Sequence, residues 1–389
     1  MAAPSVDHSP ARRHFHSLEA LRFFAFLKVY MLHVPLNVPS PVLGYLKRGG
    51  GIGVQFFFVL SGFLITYLLV ADKQANGQVG VRRFFVRRSL RIWPLFYVGV
   101  LLAFLLPEAW ADRWGFHMVG GGYVPDWRFS FTFLENYKML LMDNFPRTTP
   151  LSVFWSLCIE EHFYLLWLLA VWLLPLRRVP VFLLACVPLA CAFRFVEPMV
   201  FQNAMIDTND LLTHLDVFAA GGLLGYWVAT DYAGFSARVN GLPLALRYAY
   251  LALVLGAVVF QADVLPYVPG SAFNLFRPLL IAGLFAGLVA LFLPEGSAIR
   301  LRSGVLHYLG SISYGLYVWH IVVIHVVFQY CLTHKIPLDT WGQAAAMVGI
   351  TLGGSVGLSA LSFRYLEAPF LRLRDRLTRG SSSEAIGRR

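Results

Sequence analysis

The sequence predicts an all-α integral membrane protein, a bundle of about ten transmembrane helices with both termini in the cytoplasm. Hydrophobic residues make up 58% of the 389 residues and charged residues only 14%. The mean hydropathy of +0.63 exceeds that of soluble globular proteins. Apolar windows recur along the chain, and the lysines and arginines fall unevenly on their two sides.

Ten windows are long and apolar enough to span a bilayer. They cover residues 19–36, 52–71, 91–106, 154–174, 180–196, 211–229, 245–264, 275–293, 311–331 and 342–363. With the N-terminus inside, the inner segments hold 21 of the 32 lysines and arginines, the outer loops hold seven, and four lie within spans. This asymmetry predicts that both termini are cytoplasmic.

The windows divide the chain into a cytoplasmic N-terminal segment (1–18), a transmembrane domain (19–370) and a basic polar cytoplasmic tail (371–389). The net charge of +11 would suit nucleic acid, but the basic residues lie between apolar spans and form no single soluble face. We therefore expect the lipid bilayer as a partner and no nucleic acid. The four cysteines lack metal-ligand spacing, so no metal site is expected.

The first span is more polar than a membrane helix usually is, because it contains Glu19, Arg22, Lys28 and His33. Each charge at the bilayer centre costs at least ~2.5–3.5 kcal/mol, so such residues usually face partners or a wet cavity. Arg22 and His33 are eleven residues apart, which places them on one helix face about 16 Å apart along the axis. Glu19 extends this stripe by one turn, whereas Lys28 points elsewhere.

The predicted orientation gives each intramembrane polar residue a depth. We expect an inner cationic group and an outer to central group. The inner group is Arg22, Arg88 and Arg91, and the outer group is His33, Glu160, His214, Asp216 and His320. This division suits transfer of an acyl group from a cytoplasmic anionic donor to an acceptor reached through the membrane.

Each candidate residue also has a structural interpretation. Arg88 and Arg91 could clamp a diphosphate, or they could simply follow the positive-inside rule. His33 could be a general base, since imidazole titrates near neutral pH, or a structural hydrogen-bonding group. Glu160 could orient a histidine or be a buried partner for an arginine.

Six segments in chain order carry a more specific pattern. They are Leu18-Glu19-Ala-Leu-Arg22 with His33 eleven residues later, Gly53-Val-Gln-Phe-Phe-Phe-Val-Leu-Ser61-Gly62, Arg88-Ser-Leu-Arg91-Ile-Trp-Pro94, Trp155-Ser156-Leu157-Cys-Ile-Glu160, Ser313-Tyr314-Gly-Leu-Tyr317-Val-Trp319-His320 and Phe363-Arg364-Tyr365-Leu-Glu367-Ala-Pro369. Together they resemble the acyltransferase 3 family of membrane O-acyltransferases, which move acyl groups, commonly acetyl from acetyl-CoA, onto carbohydrates and other hydroxylated acceptors.

The resemblance implies roles residue by residue. Arg22 and His33 match the family's essential pair, with His33 as the base. Arg88 and Arg91 match its two-arginine motif, proposed to serve the acyl donor, and Glu160 matches the acidic position after Trp-Ser-Leu. The expected cofactor is acetyl-CoA or another acyl-CoA.

Further contacts to the substrate or thioester are expected from other motif residues. Ser61, Ser156 and Tyr314 are candidate hydrogen-bond donors to the thioester oxygen, although each could instead serve interhelical packing. Trp155 and His320 complete this set. The chain departs from the family pattern at Glu19, where Asp is common, at Gln55, where an acid is common, and at His214, where we expect an Arg two residues before Asp216.

These observations predict an O-acyltransferase of the bacterial inner membrane that acts on a sugar or glycoconjugate. The alternative is a proton-coupled exporter of a polar metabolite, with His33, Glu160 and His320 as a proton relay; a sensor of acyl groups without turnover is a further alternative. The short tail leaves no room for the extracytoplasmic esterase-like domain of some relatives. We therefore expect the protein to act alone or with a separate extracytoplasmic partner.

Overall fold

The computed structural model describes residues 15–106, 113, 123–146, 150–201, 203, 205–268 and 271–379, and within them it contains helices and no β-strand. The α-helices are α1 His16–His33, α2 Pro41–Lys47, α3 Gly51–Asn76, α4 Val81–Leu105, α5 Trp127–Phe131, α6 Glu135–Met142, α7 Phe154–Leu173, α8 Val179–Val200, α9 Ile206–Asn209, α10 Leu215–Thr230, α11 Tyr232–Gly241, α12 Leu244–Val259, α13 Gln261–Val264, α14 Phe273–Phe292, α15 Gly304–Ser311, α16 Ser313–Thr333, α17 Trp341–Ser362 and α18 Ala368–Arg379. A π-helical turn, Phe363–Glu367, connects α17 to α18. The all-helical fold class is confirmed for this part of the chain.

Seven helical segments in the described ranges are long and apolar enough to cross a membrane. They are Pro41–Asn76, Val81–Leu105, Pro150–Leu173, Leu176–Val200, Phe273–Phe292, Ser313–Thr333 and Trp341–Thr378. The number becomes eight if α11 and α12, which meet at a bend of 93°, form one broken span. This composition is that of a multi-pass membrane protein.

The predicted number of ten spans exceeds these seven or eight segments of the described ranges. The first predicted span corresponds to α1, whose 18 residues include Glu19, Arg22 and Lys28. The sixth and seventh correspond to α10 and α12, which have only 16 residues each. The count of ten and the sides of the termini therefore stay predictions.

The centre of the bundle is the pair α3 and α10, which pack with their backbones close together. A Cβ atom on Gly62 would lie 2.1 Å from the carbonyl oxygen of Phe218, and one on Gly221 would lie 2.0 Å from the carbonyl oxygen of Val59. Only glycine permits such an approach, as is common where helices associate in membranes. This contact fixes α3, which carries residues of both cavities described below.

Two lysines hydrogen-bond to the exposed carbonyls at helix ends. Lys28 on α1 donates to the carbonyl oxygens of Leu46 and Arg48, at 3.0 and 2.8 Å, where α2 ends. Lys73 on α3 likewise donates to the last carbonyls of α7. The last carbonyls of a helix have no partner within the helix, so these lysines satisfy them and hold α2 and α7 in place. The expectation that Lys28 points away from the Arg22 and His33 stripe is confirmed.

Candidate active site

Two cavities lie at opposite ends of α3. The first, here called the His33 cavity, has a volume of about 1460 Å³ and includes Gln55 near the start of α3. The second, here called the arginine cavity, has a volume of about 370 Å³ and includes Leu68 and Asp72 near the end of α3. The rise of an α-helix puts Gln55 and Leu68 about 20 Å apart along the axis. The bundle therefore has a separate opening toward each of its ends.

The His33 cavity is built from helix ends that face the same way. His33 ends α1, Trp155 lies in the first turn of α7, and Glu197 lies in the last turn of α8. The wall combines aromatic rings with polar side chains, including Tyr267 and Asn274. Such a mixture of aromatic and hydrogen-bonding groups is suited to a polar ligand that also presents apolar faces.

The arginine cavity lies between the end of α3, the start of α4 and α18. Its lining residues include Arg83, Arg87, Arg88, Arg91, Arg374 and Asp72. The charge of Arg83 is matched by an ion pair with Asp72. Arg88 and Arg91, by contrast, form no hydrogen bond or ion pair with any other residue that the structure describes. These two guanidinium groups are therefore available to an anionic ligand.

Arg88 and Arg91 of the arginine cavity belong to a larger cluster of charged residues. Arg22 forms an ion pair with Glu19, with an N–O distance of 3.2 Å. It also interacts electrostatically with Arg88, Arg91 and Glu160. The structure thus brings the three predicted arginines together, although they come from two helices.

Glu160 belongs to this charged cluster rather than to the surroundings of His33. Its Oε1 accepts a hydrogen bond from Ser61 at 3.1 Å, and its Oε2 accepts one from Tyr164 at 2.8 Å. The guanidinium of Arg88 lies over the Tyr164 ring, 5.4 Å from its centroid. In the structure Glu160 therefore hydrogen-bonds to two hydroxyl groups, interacts electrostatically with Arg22 and Arg88, and forms no hydrogen bond with a histidine among the described residues.

His33 is paired instead with His320. His33 Nδ1 lies 3.2 Å from His320 Nε2, and the ring centroids are 5.1 Å apart. His320 is completely buried and does not line the His33 cavity, whereas His33 does. His320 was expected to contact the substrate or thioester; in the structure it lies behind His33.

The other expected contacts are distributed differently. Trp155 lines the His33 cavity. Ser61 donates to Glu160, Tyr314 donates to the carbonyl of Ile92 at 2.8 Å, and none of Ser61, Ser156 and Tyr314 lines either cavity. Their hydroxyl hydrogens already have acceptors inside the protein, so the geometry assigns them to interhelical packing.

The Ser156 hydroxyl forms a small network of its own. It lies 2.6 Å from the Tyr317 hydroxyl, and both groups lie within 3.2 Å of the Val153 carbonyl oxygen. Val153 and Tyr317 both line the His33 cavity. The network joins the start of α7 to α16 and so fixes one wall of that cavity.

A buried ion pair borders the same cavity and was not predicted. Arg194 Nη1 and Nη2 lie 3.1 and 2.6 Å from Asp216 Oδ1 and Oδ2. Asp216 thus has an arginine partner, supplied by α8 and not by position 214. His214 instead donates from Nε2 to the carbonyl oxygen of Thr208 at 2.9 Å. A lone arginine inside an apolar run was the available signal for this pair.

Among the described residues, no three His, Cys, Asp or Glu side chains are grouped so that they could hold a metal ion.

Comparison with known proteins gives a consistent picture. The family model Acyl_transf_3, described as an acyltransferase domain, matches residues 15–360. The chain is 27% identical over 374 residues to the peptidoglycan O-acetyltransferase OatA of Listeria monocytogenes, covering 92% of this chain and 56% of the relative. It is 29% identical over 327 residues to the putative peptidoglycan O-acetyltransferase YrhL of Bacillus subtilis (80% and 49%) and 26% identical over 370 residues to the O-acetyltransferase OatA of Staphylococcus aureus (92% and 57%). The chain spans about half the length of these curated relatives, and no solved structure matches it.

Proposed function

Because the chain belongs to the acyltransferase 3 family, we propose that it is a membrane O-acetyltransferase that moves an acetyl group from an acyl-CoA to a hydroxyl group of a glycan. The observation that carries this proposal is the arrangement of α1. One uninterrupted helix places Arg22 among unpaired cations at one cavity and His33 in the wall of the other. Peptidoglycan is the first acceptor to test, because one of the relatives named above is a peptidoglycan O-acetyltransferase and a second is a putative one.

The donor is proposed to bind at the arginine cavity. Arg88 and Arg91 would hold the phosphates of coenzyme A as bidentate partners that cannot lose their charge. The pantetheine arm separates these phosphates from the thioester. Such a donor suits a site in which Arg22 and His33 lie about 16 Å apart along a helix.

The acceptor is proposed to bind at the His33 cavity. His33 takes the proton of the acceptor hydroxyl while the hydroxyl oxygen attacks the thioester carbonyl. The carbon–sulfur bond then breaks, and the thiolate of coenzyme A leaves and accepts a proton. The products are the acetyl ester and free coenzyme A.

The proposed orientation is supported by the positive charges near the arginine cavity. Cytoplasmic loops of membrane proteins are enriched in lysine and arginine, and coenzyme A is a cytoplasmic metabolite. We therefore place the arginine cavity at the cytoplasmic face of a bacterial inner membrane and the His33 cavity at the outer face. In this orientation the acetyl group crosses the bilayer during transfer.

The proposal is tested with the purified full chain, labelled acetyl-CoA and a soluble peptidoglycan oligosaccharide. We expect label on the sugar. If none of the sugars offered becomes labelled and the thioester is not hydrolysed, the enzymatic function is refuted. Intact transport of a polar metabolite in the same preparation would then favour the exporter.

Single replacements separate the two ends of the site. His33→Ala should reduce transfer by about 10²–10⁴-fold, which is the usual contribution of a general base, while binding of coenzyme A is retained. Arg22→Ala, Arg88→Gln and Arg91→Gln should chiefly raise the KM for acetyl-CoA. Arg82→Gln is the matched control, since Arg82 is exposed on the same helix and lines neither cavity. The opposite pattern, with His33 needed for donor binding, would mean that the ends are reversed.

A further inference from the structure

The two histidines that meet beside the His33 cavity differ in their surroundings. His320 is completely buried, whereas His33 is only partly buried and lines the cavity. Among the described residues neither ring hydrogen-bonds to a carboxylate. The absence of a counter-charge favours two neutral rings, each with one N–H group and one unprotonated nitrogen.

The backbone of α16 determines which nitrogen of His320 carries the proton. His320 Nδ1 lies 2.7 Å from the carbonyl oxygen of Tyr317 and 3.2 Å from that of Leu316. A carbonyl oxygen only accepts, so Nδ1 must be the N–H donor. The Nε2 atom of neutral His320 is therefore an acceptor.

This assignment extends to the partner ring. His320 Nε2 lies 3.2 Å from His33 Nδ1, so His33 Nδ1 must donate. The Nε2 atom of His33 then keeps its lone pair, and it is the ring nitrogen left for a ligand in the cavity. A proton acceptor on that atom is what a general base requires.

We propose that His320 is a positioning residue that fixes His33 in the Nδ1–H tautomer and so keeps His33 Nε2 unprotonated toward the acceptor hydroxyl. In this series His320 donates to a carbonyl of α16, His33 donates to His320, and the acceptor hydroxyl donates to His33. His320 does not contact the substrate in this arrangement. The role resembles that of the third group in a nucleophile, base and orienter series, with a backbone carbonyl and a neutral imidazole in place of a carboxylate.

The catalytic part of this inference rests on the proposed acetyl transfer, but the tautomer does not. Two replacements of His320 separate the hydrogen bond from packing. His320→Phe keeps a ring against Phe26, which packs edge-on at 5.6 Å, and removes the acceptor. His320→Gln loses the ring and offers a side-chain oxygen to His33 Nδ1. His334→Phe is the control, because His334 is an exposed residue at the end of the same helix.

The first measurement is the kinetics of acetyl transfer. We expect His320→Phe to lower kcat by at least about 10²-fold, as loss of the correct tautomer does in hydrolytic triads, with the KM for acetyl-CoA unchanged. His320→Gln should recover a substantial part of kcat, and His334→Phe should leave both constants unchanged. Equal loss in the Phe and Gln variants, or a raised acceptor KM as the main effect, would overturn the positioning role.

The second measurement does not require turnover. ¹⁵N NMR of the full chain labelled at histidine, with His33→Gln used to assign the resonances, reports which nitrogen of His33 is protonated. We expect the Nδ1–H tautomer in the native protein and a mixture in His320→Phe. A native His33 protonated at Nε2 would overturn the inference even if the protein transfers acetyl groups, whereas inactivity with every acceptor alongside the expected tautomer would count against the proposed function alone.

Discussion

Replacing Asp216 by Asn should be among the most destabilising single changes in the part of the chain that the structure describes. The Asp216 side chain is completely inaccessible and that of Arg194 is only 5% exposed. Removing one partner of such a pair leaves an unpaired charge inside the protein, which costs about 3–5 kcal/mol. We expect the melting temperature in detergent to fall by on the order of 5–10 °C.

The effect should be strongly non-additive. Arg194 also donates to the carbonyls of Thr213 and Leu275, at 2.6 Å from Nη1 and Nη2 respectively. The double replacement Arg194→Met with Asp216→Leu removes both charges and loses the hydrogen bonds to these two carbonyls and the one from Val217 N–H to Asp216, worth about 1 kcal/mol each. It should therefore cost about 3 kcal/mol in total, far less than the sum of the two single changes.

The assay is a double-mutant cycle based on thermal unfolding of the unmodified protein, Arg194→Met, Asp216→Leu and the double variant in one detergent. The coupling free energy should be at least about 3 kcal/mol, well above the ~0.6 kcal/mol average of polar pairs between membrane helices. Single replacements that each cost less than about 1 kcal/mol, or costs that simply add, would refute the claim that this buried pair is satisfied only as a unit.

Three further changes test packing, capping and titration, each by thermal unfolding. Gly221→Ala should destabilise the protein by at least about 1–3 kcal/mol, because its Cβ would overlap a backbone carbonyl of α3. Gly353 has open space around it, so Gly353→Ala should be neutral or stabilising. Equal melting temperatures of these two variants would contradict the close approach of α3 and α10. Lys73→Met should lower the free energy of unfolding by about 1–3 kcal/mol, because it leaves carbonyls at the end of α7 without a donor. Lys335→Met changes an exposed residue and should leave the stability unchanged. If neither replacement changes the melting temperature, Lys73 does not cap α7. Burial raises the pKa of the Glu135 carboxyl above its ordinary value of 4.5, so its protonation stabilises the folded state below pH 4.5 and that contribution is lost as the pH rises through the folded-state pKa. Glu135→Gln should therefore flatten the decline of melting temperature as the pH rises above 4.5, and an unchanged slope would disprove this.

Helical periodicity was sufficient to predict the arrangement along α1. The structure places Arg22 and His33 on one uninterrupted helix, with Arg22 near Arg88 and Arg91 and with His33 in a cavity wall. The prediction succeeded because both positions belong to the same rigid element. Within one helix, the number of residues between two positions determines both their separation and their relative direction.

The surroundings of Glu160 show where this reasoning stops. Its depth was estimated from its place in the span, and depth alone put it in the group of His33. What decides its contacts is the direction of the side chain around α7, and that face meets Ser61 and Arg88. The sequence predicts the direction of each side chain around the axis of its own helix. It does not predict how that helix is rotated relative to its neighbours.

Partner choice between helices was unpredictable for the same reason. Arg194 and Asp216 were both visible as charges in adjacent spans, but each had several potential partners of opposite charge. The pairing of His320 with His33 joins residues 287 positions apart in the chain. Only the assembled bundle shows which of the polar side chains meet.

The polar residues of α1 make this helix less apolar than a usual membrane span, but they all find partners among the neighbouring groups. Glu19 and Arg22 neutralise each other, Lys28 donates to the carbonyls that end α2, and His33 is bonded to His320. A sum of hydropathy values counts each ionised group as if it had no partner. The actual free energy of placing that group in the membrane depends on the hydrogen bonds and opposite charges around it. Because the partners of Lys28 and His33 lie outside α1, this helix gains stability from assembly. The same contacts hold α1 in place, and with it Arg22 and His33.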